Sequence, residues 1–377
     1  MHKLSKSPRT NPEGESASTK VPPAKLARVV EWIRHYLYRL HQRLTPAPAA
    51  MMEMIIATWM SQAITVAAQL GVADVLSNGP LPIEELAARV GADADALRRL
   101  LRALISKGIF RRRRDGRYEL NSLAGTLRSD APISMTWAAQ FYGSGEQRER
   151  WTLMVDSIRT GSSVVPALRG KESFDYFAGQ PELAELFNQT MTSVSELTDG
   201  PVVAGYDFSA YPTIVDVGGG HGPLLAAILA GAPASRGVLY DLSSVVASAP
   251  RLLRERKVAD RVRIAEGSFF DSVPTGGDAY ILKNIVHDWP DEKAVQILRN
   301  VRTAAGPGAT VLLVELVIPK HNRDFPGKWV DLEMLLNLGA RERTAAEYRD
   351  LLSQAGFQMT RVVQTASPLS VVEARAA

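Results

Sequence analysis

The segment Leu282-Lys283-Asn284-Ile285-Val286-His287-Asp288-Trp289 follows an apolar run that reads as a strand and precedes a helix opening near Pro290-Asp291-Glu292. Neutral imidazole is the side chain best matched to removing a hydroxyl proton near neutral pH, so His287 is a candidate general base. A histidine that merely caps the next helix would occupy the same position. Two later carboxylates tilt the balance. Glu315 lies inside the otherwise apolar strand Val311–Leu316, where a charge requires a partner. Glu342 stands between Arg341 and Arg343, open either to a surface ion pair or to a place beside the histidine. A base oriented by a carboxylate is the recurring arrangement of general-base sites.

A second constellation concerns a ligand. The run Ile-Val-Asp-Val-Gly-Gly-Gly-His-Gly at 214–222 takes an apolar strand, Thr213–Val217, straight into a glycine loop and an apolar helix from Pro223. Gly218, Gly219, Gly220 and Gly222 let the backbone turn tightly and approach a ligand closely. Their spacing departs from the dinucleotide G-x-G-x-x-G pattern. Asp216, just ahead of the loop, would repel a phosphate and suit a cation. An acidic strand end with a glycine loop fits a sulfonium-bearing adenosine ligand, S-adenosylmethionine. The next strand, Gly237–Tyr240, ends at Asp241, 19 positions beyond Gly222, where a carboxylate can accept both ribose hydroxyls.

The elements that position these groups follow from length and patterning. The 377 residues imply two domains with appendages. Apolar residues make up 46%, enough for a substantial core. No run of 18 uncharged apolar residues and no secretory leader is evident, so a soluble cytoplasmic protein is expected. The absence of cysteine excludes disulfides, thiolate catalysis and cysteine-ligated zinc. No ligand cluster for another metal stands out. Residues 1–50 hold nine Lys or Arg against three Glu, more excess charge than the whole chain's net +4, so the remaining body is mildly acidic. That gives little support for nucleic-acid binding.

Residues 1–24 are polar and are expected to be disordered. Over 25–49 a basic arm places Leu26, Val29, Val30, Ile33, Leu37, Leu40 and Leu44 on one stripe of a helix. Packing against protein is favoured over contact with a membrane surface. Residues 50–130 read as a winged-helix-like domain: a long apolar helix Met51–Leu70, a short helix after Leu81, a helix Asp93–Lys107 with Leu97, Leu100, Leu101 and Leu104 on one face, then strands Ile109–Arg112 and Tyr118–Asn121 around Asp115-Gly116. Arg111–Arg114 invite a DNA-binding reading, but a solvated arginine hairpin is the commoner outcome. Residues 131–204 are helical and aromatic, able to line a substrate cavity or fill a core. From 205 to 377 strands alternate with helices, an α/β doubly wound sheet. Phe357–Thr365 and Ser370–Ala374 are joined too closely for anything but an antiparallel terminal hairpin.

Taken together, DVGGGHG at 216–222, YDL at 240–242, SVP at 272–274, LKNIVHDW at 282–289, VEL at 314–316 and RERT at 341–344 make residues 50–377 resemble the plant-type, S-adenosylmethionine-dependent small-molecule O-methyltransferases, which include caffeate, isoflavone and acetylserotonin enzymes and bacterial relatives. The resemblance implies the methyltransferase (Rossmann-like) sheet, an N-terminal dimerisation domain, a homodimer, and a general base at His287 held by Glu315 and Glu342. It implies cofactor contacts at Gly218, Asp241 and Lys283, with Met191 beside the methyl-transfer site. Around these, Asp216, Gly220, Leu242, Ser268 and Phe269 complete the candidate cofactor site, and Phe187, Phe141 and Trp289 join Met191 as candidate pocket residues. At Gly267-Ser268 the family usually has Gly-Asp, the Asp reaching the adenine end of the cofactor; the serine here lacks that charge. The expected activity is methyl transfer to a hydroxyl, most plausibly phenolic, without a metal. A cofactor-binding decarboxylase or hydroxylase, and a winged-helix DNA-binding regulator, are the alternatives.

Overall fold

The computed structural model describes residues 21–376, so the expected disordered tail lies almost wholly outside the described residues. The arm is one helix, Ala24–Arg43, with no buried residue. The expected single helix over 51–70 is instead two, Ala47–Ile55 and Ala57–Gln69, separated at Ile56. The ψ of 0° there interrupts the regular ladder. By length and hydropathy this stretch would suffice to cross a membrane. It also presents Met51, Met52, Ile55 and Trp59 to solvent.

Helices Val72–Leu76, Ile83–Val90 and Ala94–Ser106 then build a small core in which Val72, Leu76, Leu86, Leu97, Leu101 and Leu104 are buried. Asp93 caps the last of these, its carboxylate accepting from Ala96 N at 2.8 Å. The wing is shorter than expected, β1 (Arg111–Arg112) pairing with β2 (Tyr118–Glu119). Two of its arginines are paired with carboxylates, Arg111 with Glu119 and Arg117 with Asp115 at 2.7 Å.

The large sheet comprises β3 (Thr213–Val217), β4 (Arg236–Asp241), β5 (Val262–Glu266), β6 (Ala279–Lys283), β7 (Thr310–Glu315), β8 (Phe357–Gln364) and β9 (Ser370–Ala376), in the spatial order β5-β4-β3-β6-β7-β9-β8. The pairs among β3 to β7 are parallel, while β9 runs antiparallel between β7 and β8. Both faces are covered, so the central strands are largely apolar: Tyr280 and Leu282 join one core, Ile281 the other. The strand order reverses between β3 and β6, and ligands bind at such a switch point, outside the carboxyl ends of the strands. Gly218 and the His287 segment leave from those two ends.

Over them lies the 25-residue helix Pro181–Gly205. Phe187, Met191, Ser195 and Asp199 recur at four-residue intervals and share one of its faces.

Candidate active site

β3 runs out into Gly218, whose φ of 70° favours glycine. A Cβ there would also come within 2.5 Å of Ile285 and 3.5 Å of Phe269. At Gly219 a Cβ would lie 2.6 Å from the Asp216 carboxylate. Asp216 therefore sits beneath the loop that follows it. It is 2% exposed, its Oδ2 has no partner among the described residues, and burial pushes its pKa up to about 7. A buried carboxylate with an orphaned oxygen fits a site that receives a cationic group.

Asp241, at the end of β4, is already aimed: Oδ2 accepts from Gly220 N at 2.9 Å and Oδ1 from Leu242 N at 2.7 Å. Leu242 contributes this amide, while the residue itself is 52% exposed. Lys283, at the end of β6, donates to Ser195 Oγ at 2.9 Å and pairs with Asp199. Its ammonium thus ties the strand end to the overlying helix while still acting electrostatically on Asp216. Phe269 packs beside Phe270 and Trp289, with ring centroids at 5.0 and 6.2 Å.

Ser268 Oγ accepts from Phe270 N at 3.2 Å, closing a tight turn. An aspartate can make the same local bond and keep an acceptor oxygen to spare. Ser268→Asp is therefore expected to tighten S-adenosylhomocysteine binding by about 1 kcal/mol in calorimetry. Activity lost with unchanged affinity would place the residue on the acceptor side instead.

The proton-handling groups come together as one buried cluster. His287 Nδ1 lies 2.6 Å from Glu342 Oε1, and His287 and Glu342 are 8% and 4% exposed. The surface ion pair open to Glu342 in the sequence is not formed. Glu315 acts differently from the expected direct clasp on the ring: its Oε1 accepts from Ile285 N at 3.3 Å and Val286 N at 3.0 Å, holding the backbone that carries the histidine. Asp288 Oδ1 lies 3.3 Å from His287 Nε2. Burial alone would depress the imidazole pKa, but Asp288, Glu315 and Glu342 outweigh it and hold it at about 10. Burial pushes Glu315 up to about 8 and Asp288 to about 6.

Two further residues brace the cluster. Arg343, 1% exposed, donates to Val286 O at 3.0 Å, Trp289 O at 2.9 Å and Asp291 Oδ1 at 2.7 Å, clamping both sides of the histidine. Asp331 Oδ1 accepts from Glu342 N at 2.9 Å. Sequence reading missed Asp199, Asp288, Asp331 and Arg343 as site residues. Only Asp288 and Arg343 carried a signal, as neighbours of the two recognised acid-base residues.

Comparison with known proteins matches the O-methyltransferase domain to residues 151–358 and the O-methyltransferase dimerisation domain to residues 52–130. The phenazine O-methyltransferase PhzM of Lysobacter antibioticus is 42% identical, over 88% of this chain and 96% of its own length. The chain belongs to the O-methyltransferase family. The 3-amino-4-hydroxybenzoate 4-O-methyltransferase of Streptomyces cremeus is 35% identical over 86% of this chain and 89% of its own. The solved structure of human N-acetylserotonin methyltransferase in complex with S-adenosylmethionine superposes with a TM-score of 0.81, at 26% identity, covering 88% of this chain and 98% of that one.

As an O-methyltransferase of this type, the protein uses S-adenosylmethionine, and the orphaned oxygen of Asp216, the glycine cradle and the aimed Asp241 suit that cofactor. The candidate pocket residues fall into two aromatic groups. Phe141 and Phe187 meet at 5.4 Å, with Phe177 stacked on Phe187 at 5.3 Å. Trp289 stacks on Phe174 at 5.4 Å and meets Phe270 edge-on at 4.7 Å. Phe174 and Phe177 share the helix Ser173–Ala178, which links the groups. Met191, half-buried, lies one helical turn beyond Phe187.

Proposed function

We propose that this O-methyltransferase methylates a phenolic hydroxyl of a small aromatic or polyketide-type metabolite, with His287 as general base. The contact that carries this reading is the 2.6 Å bond between His287 Nδ1 and Glu342. With the Nδ1 proton donated to Glu342, Nε2 is left to accept the hydroxyl proton. Asp288 Oδ1, 3.3 Å from Nε2, stands on the same side of the ring and adds to the negative field that favours its protonation. Glu315 and Arg343 fix the backbone on either side, so the base is positioned before the acceptor arrives. S-adenosylmethionine, when bound, supplies an electrophilic methyl group, and Gly218, Gly220, Asp241, Lys283, Ser268 and Phe269 form its site.

One atom each of His287, Glu315 and Glu342 lie within 4.8 Å of one another, near enough for a cation to bridge. The donor set argues for proton chemistry instead. His287 Nδ1 and Glu342 Oε1 are engaged with each other and Glu315 Oε1 holds backbone amides with its pKa raised toward the neutral acid, while Oε2 of each carboxylate has no partner among the described residues. Incubation with a mixed phenol panel and S-adenosylmethionine is expected to add one methylene mass to an acceptor, undiminished by a chelator. No mass gain on any phenol counts against the acceptor class, and loss of turnover on chelation counts against the metal-free mechanism.

The pairing of His287 with Glu342 also disfavours a decarboxylase-like use of the cofactor, which needs no such base. The mildly acidic body outside the N-terminal arm disfavours DNA binding. Exposed Met51, Met52, Ile55 and Trp59 at the start of the matched dimerisation domain support a homodimer formed through that region.

A further inference from the structure

An amphipathic helix that packs on its own protein buries its apolar stripe, and the basic arm does the reverse. In the helix Ala24–Arg43 the half-buried residues are Ala24, Ala27, His35 and Gln42. Arg28 donates to Gln364, and His35 Nδ1 accepts from Asp324 N at 3.3 Å, so it is the polar face that meets the body. On the opposite side Leu26, Val30, Ile33, Leu37, Leu40 and Leu44 recur at alternating four- and three-residue steps and are between 43% and 78% exposed. Both margins of that stripe are basic. Lys25 and Arg43 flank it on one side, Arg34 and His41 on the other. Lys25, Arg34 and Arg43 are exposed and make no ion pair among the described residues. Trp32 and Tyr36, each half-exposed, stand at one margin, where rings suit the boundary between apolar and wet surroundings.

The charges decide what covers the stripe. A second copy bound stripe to stripe would set these cationic margins against their own copies, because a two-fold contact uses the same patch on both chains. The helix carries five Lys or Arg and one Glu, and Glu31 lies on the side away from the stripe, so nothing in the arm offsets that repulsion. The arm also precedes residue 52, where the matched dimerisation domain begins. A lipid surface with anionic headgroups answers both features, its acyl region receiving the stripe and its headgroups the two margins. We propose that the helix Ala24–Arg43 docks this enzyme on an anionic membrane surface, lying in the plane of the interface with Leu26, Ile33, Leu37 and Leu40 turned into the lipid. Its mooring on the body gives the docking a direction. Gln364, which Arg28 holds, is in register with Ser370, and Ser370 pairs with Glu315 at the end of β7. The arm therefore sets the ligand-bearing edge of the sheet toward the lipid.

Co-sedimentation of the full chain with vesicles tests this, comparing phosphatidylcholine alone with phosphatidylcholine containing about one-third phosphatidylserine. The chain is expected to bind the anionic vesicles at least about tenfold more tightly and to release them as salt is raised. Leu37→Glu, on the exposed stripe, is expected to weaken that binding at least about tenfold while S-adenosylhomocysteine affinity and the dimer are unchanged. Arg34→Glu with Arg43→Glu, one from each margin, is expected to erase the preference for the anionic vesicles. Failure to bind them, equal binding to both vesicles, or binding that survives Leu37→Glu overturns the proposal. So does a dimer that Leu37→Glu splits into monomers in analytical ultracentrifugation, because a second copy then covers the stripe. The comparison of the two vesicles needs no variant, and neither cofactor nor acceptor enters it, so its outcome is separate from that of the phenol panel.

Discussion

His287→Ala is expected to lower kcat by roughly 10²–10⁴-fold, the ordinary loss on removing a general base, while S-adenosylhomocysteine still binds within a few-fold of its usual affinity. The imidazole meets Glu342 and Asp288, not the glycine loop, so the donor side is left intact. Full turnover in a folded variant would leave positioning alone as the source of catalysis. The pH profile offers an independent check. Carboxylates hold the His287 pKa at about 10 despite its burial. The neutral, proton-accepting form therefore grows as pH rises toward that value, and kcat/KM should climb on the alkaline side. Glu342→Gln removes one of the charges that raise the pKa, so the limb should move to lower pH even as the maximal rate falls. A limb that stays in place would assign it to another group.

Asp241→Ala is expected to raise the dissociation constant of S-adenosylhomocysteine by roughly 10–150-fold, because charge-assisted hydrogen bonds worth about 1.5–3 kcal/mol are lost. The carboxylate is held before any ligand arrives, by Gly220 N and Leu242 N. Its removal also frees the Gly220 amide, so the loss should fall toward the upper part of that range. With acceptor saturating and cofactor raised to match, kcat should recover, in contrast to the histidine variant. Calorimetry showing an unchanged constant would put the ribose elsewhere.

These two sites were legible in the sequence for the same physical reason. A strand end is marked where an apolar run stops, and the residues just past that point lie at the ligand-bearing edge, so Asp216, Asp241 and His287 could each be placed from local pattern alone. The antiparallel pairing of β8 with β9 followed from the shortness of their connection. What local pattern does not encode is a partner distant in the chain. Lys283 meets Asp199 across 84 positions and Arg150 meets Asn337 across 187. Within the stretch read as helical and aromatic, the helix Gly145–Thr152 is rich in Glu, Gln and Arg, and spacing alone does not single out Gln147 and Arg150 as its buried residues. Glu315 was recognised as a charge in need of a partner, but that partner is a pair of backbone amides, which side-chain spacing cannot reveal. The break at Ile56 has no glycine or proline to announce it.

The place of β9 in the sheet has a consequence for how the protein is made. β9 is made after both of the strands it must slot between, β7 and β8, and it pairs with each. Until it does, β7 is an open edge whose residues Thr310–Glu315 are all destined for burial, the kind of unpaired, apolar margin through which nascent chains associate with one another. Glu315 closes that strand, and through it the loop of the histidine. Maturation of the catalytic centre therefore waits on a strand made after every residue of the site, and Ser370 of that strand pairs directly with Glu315.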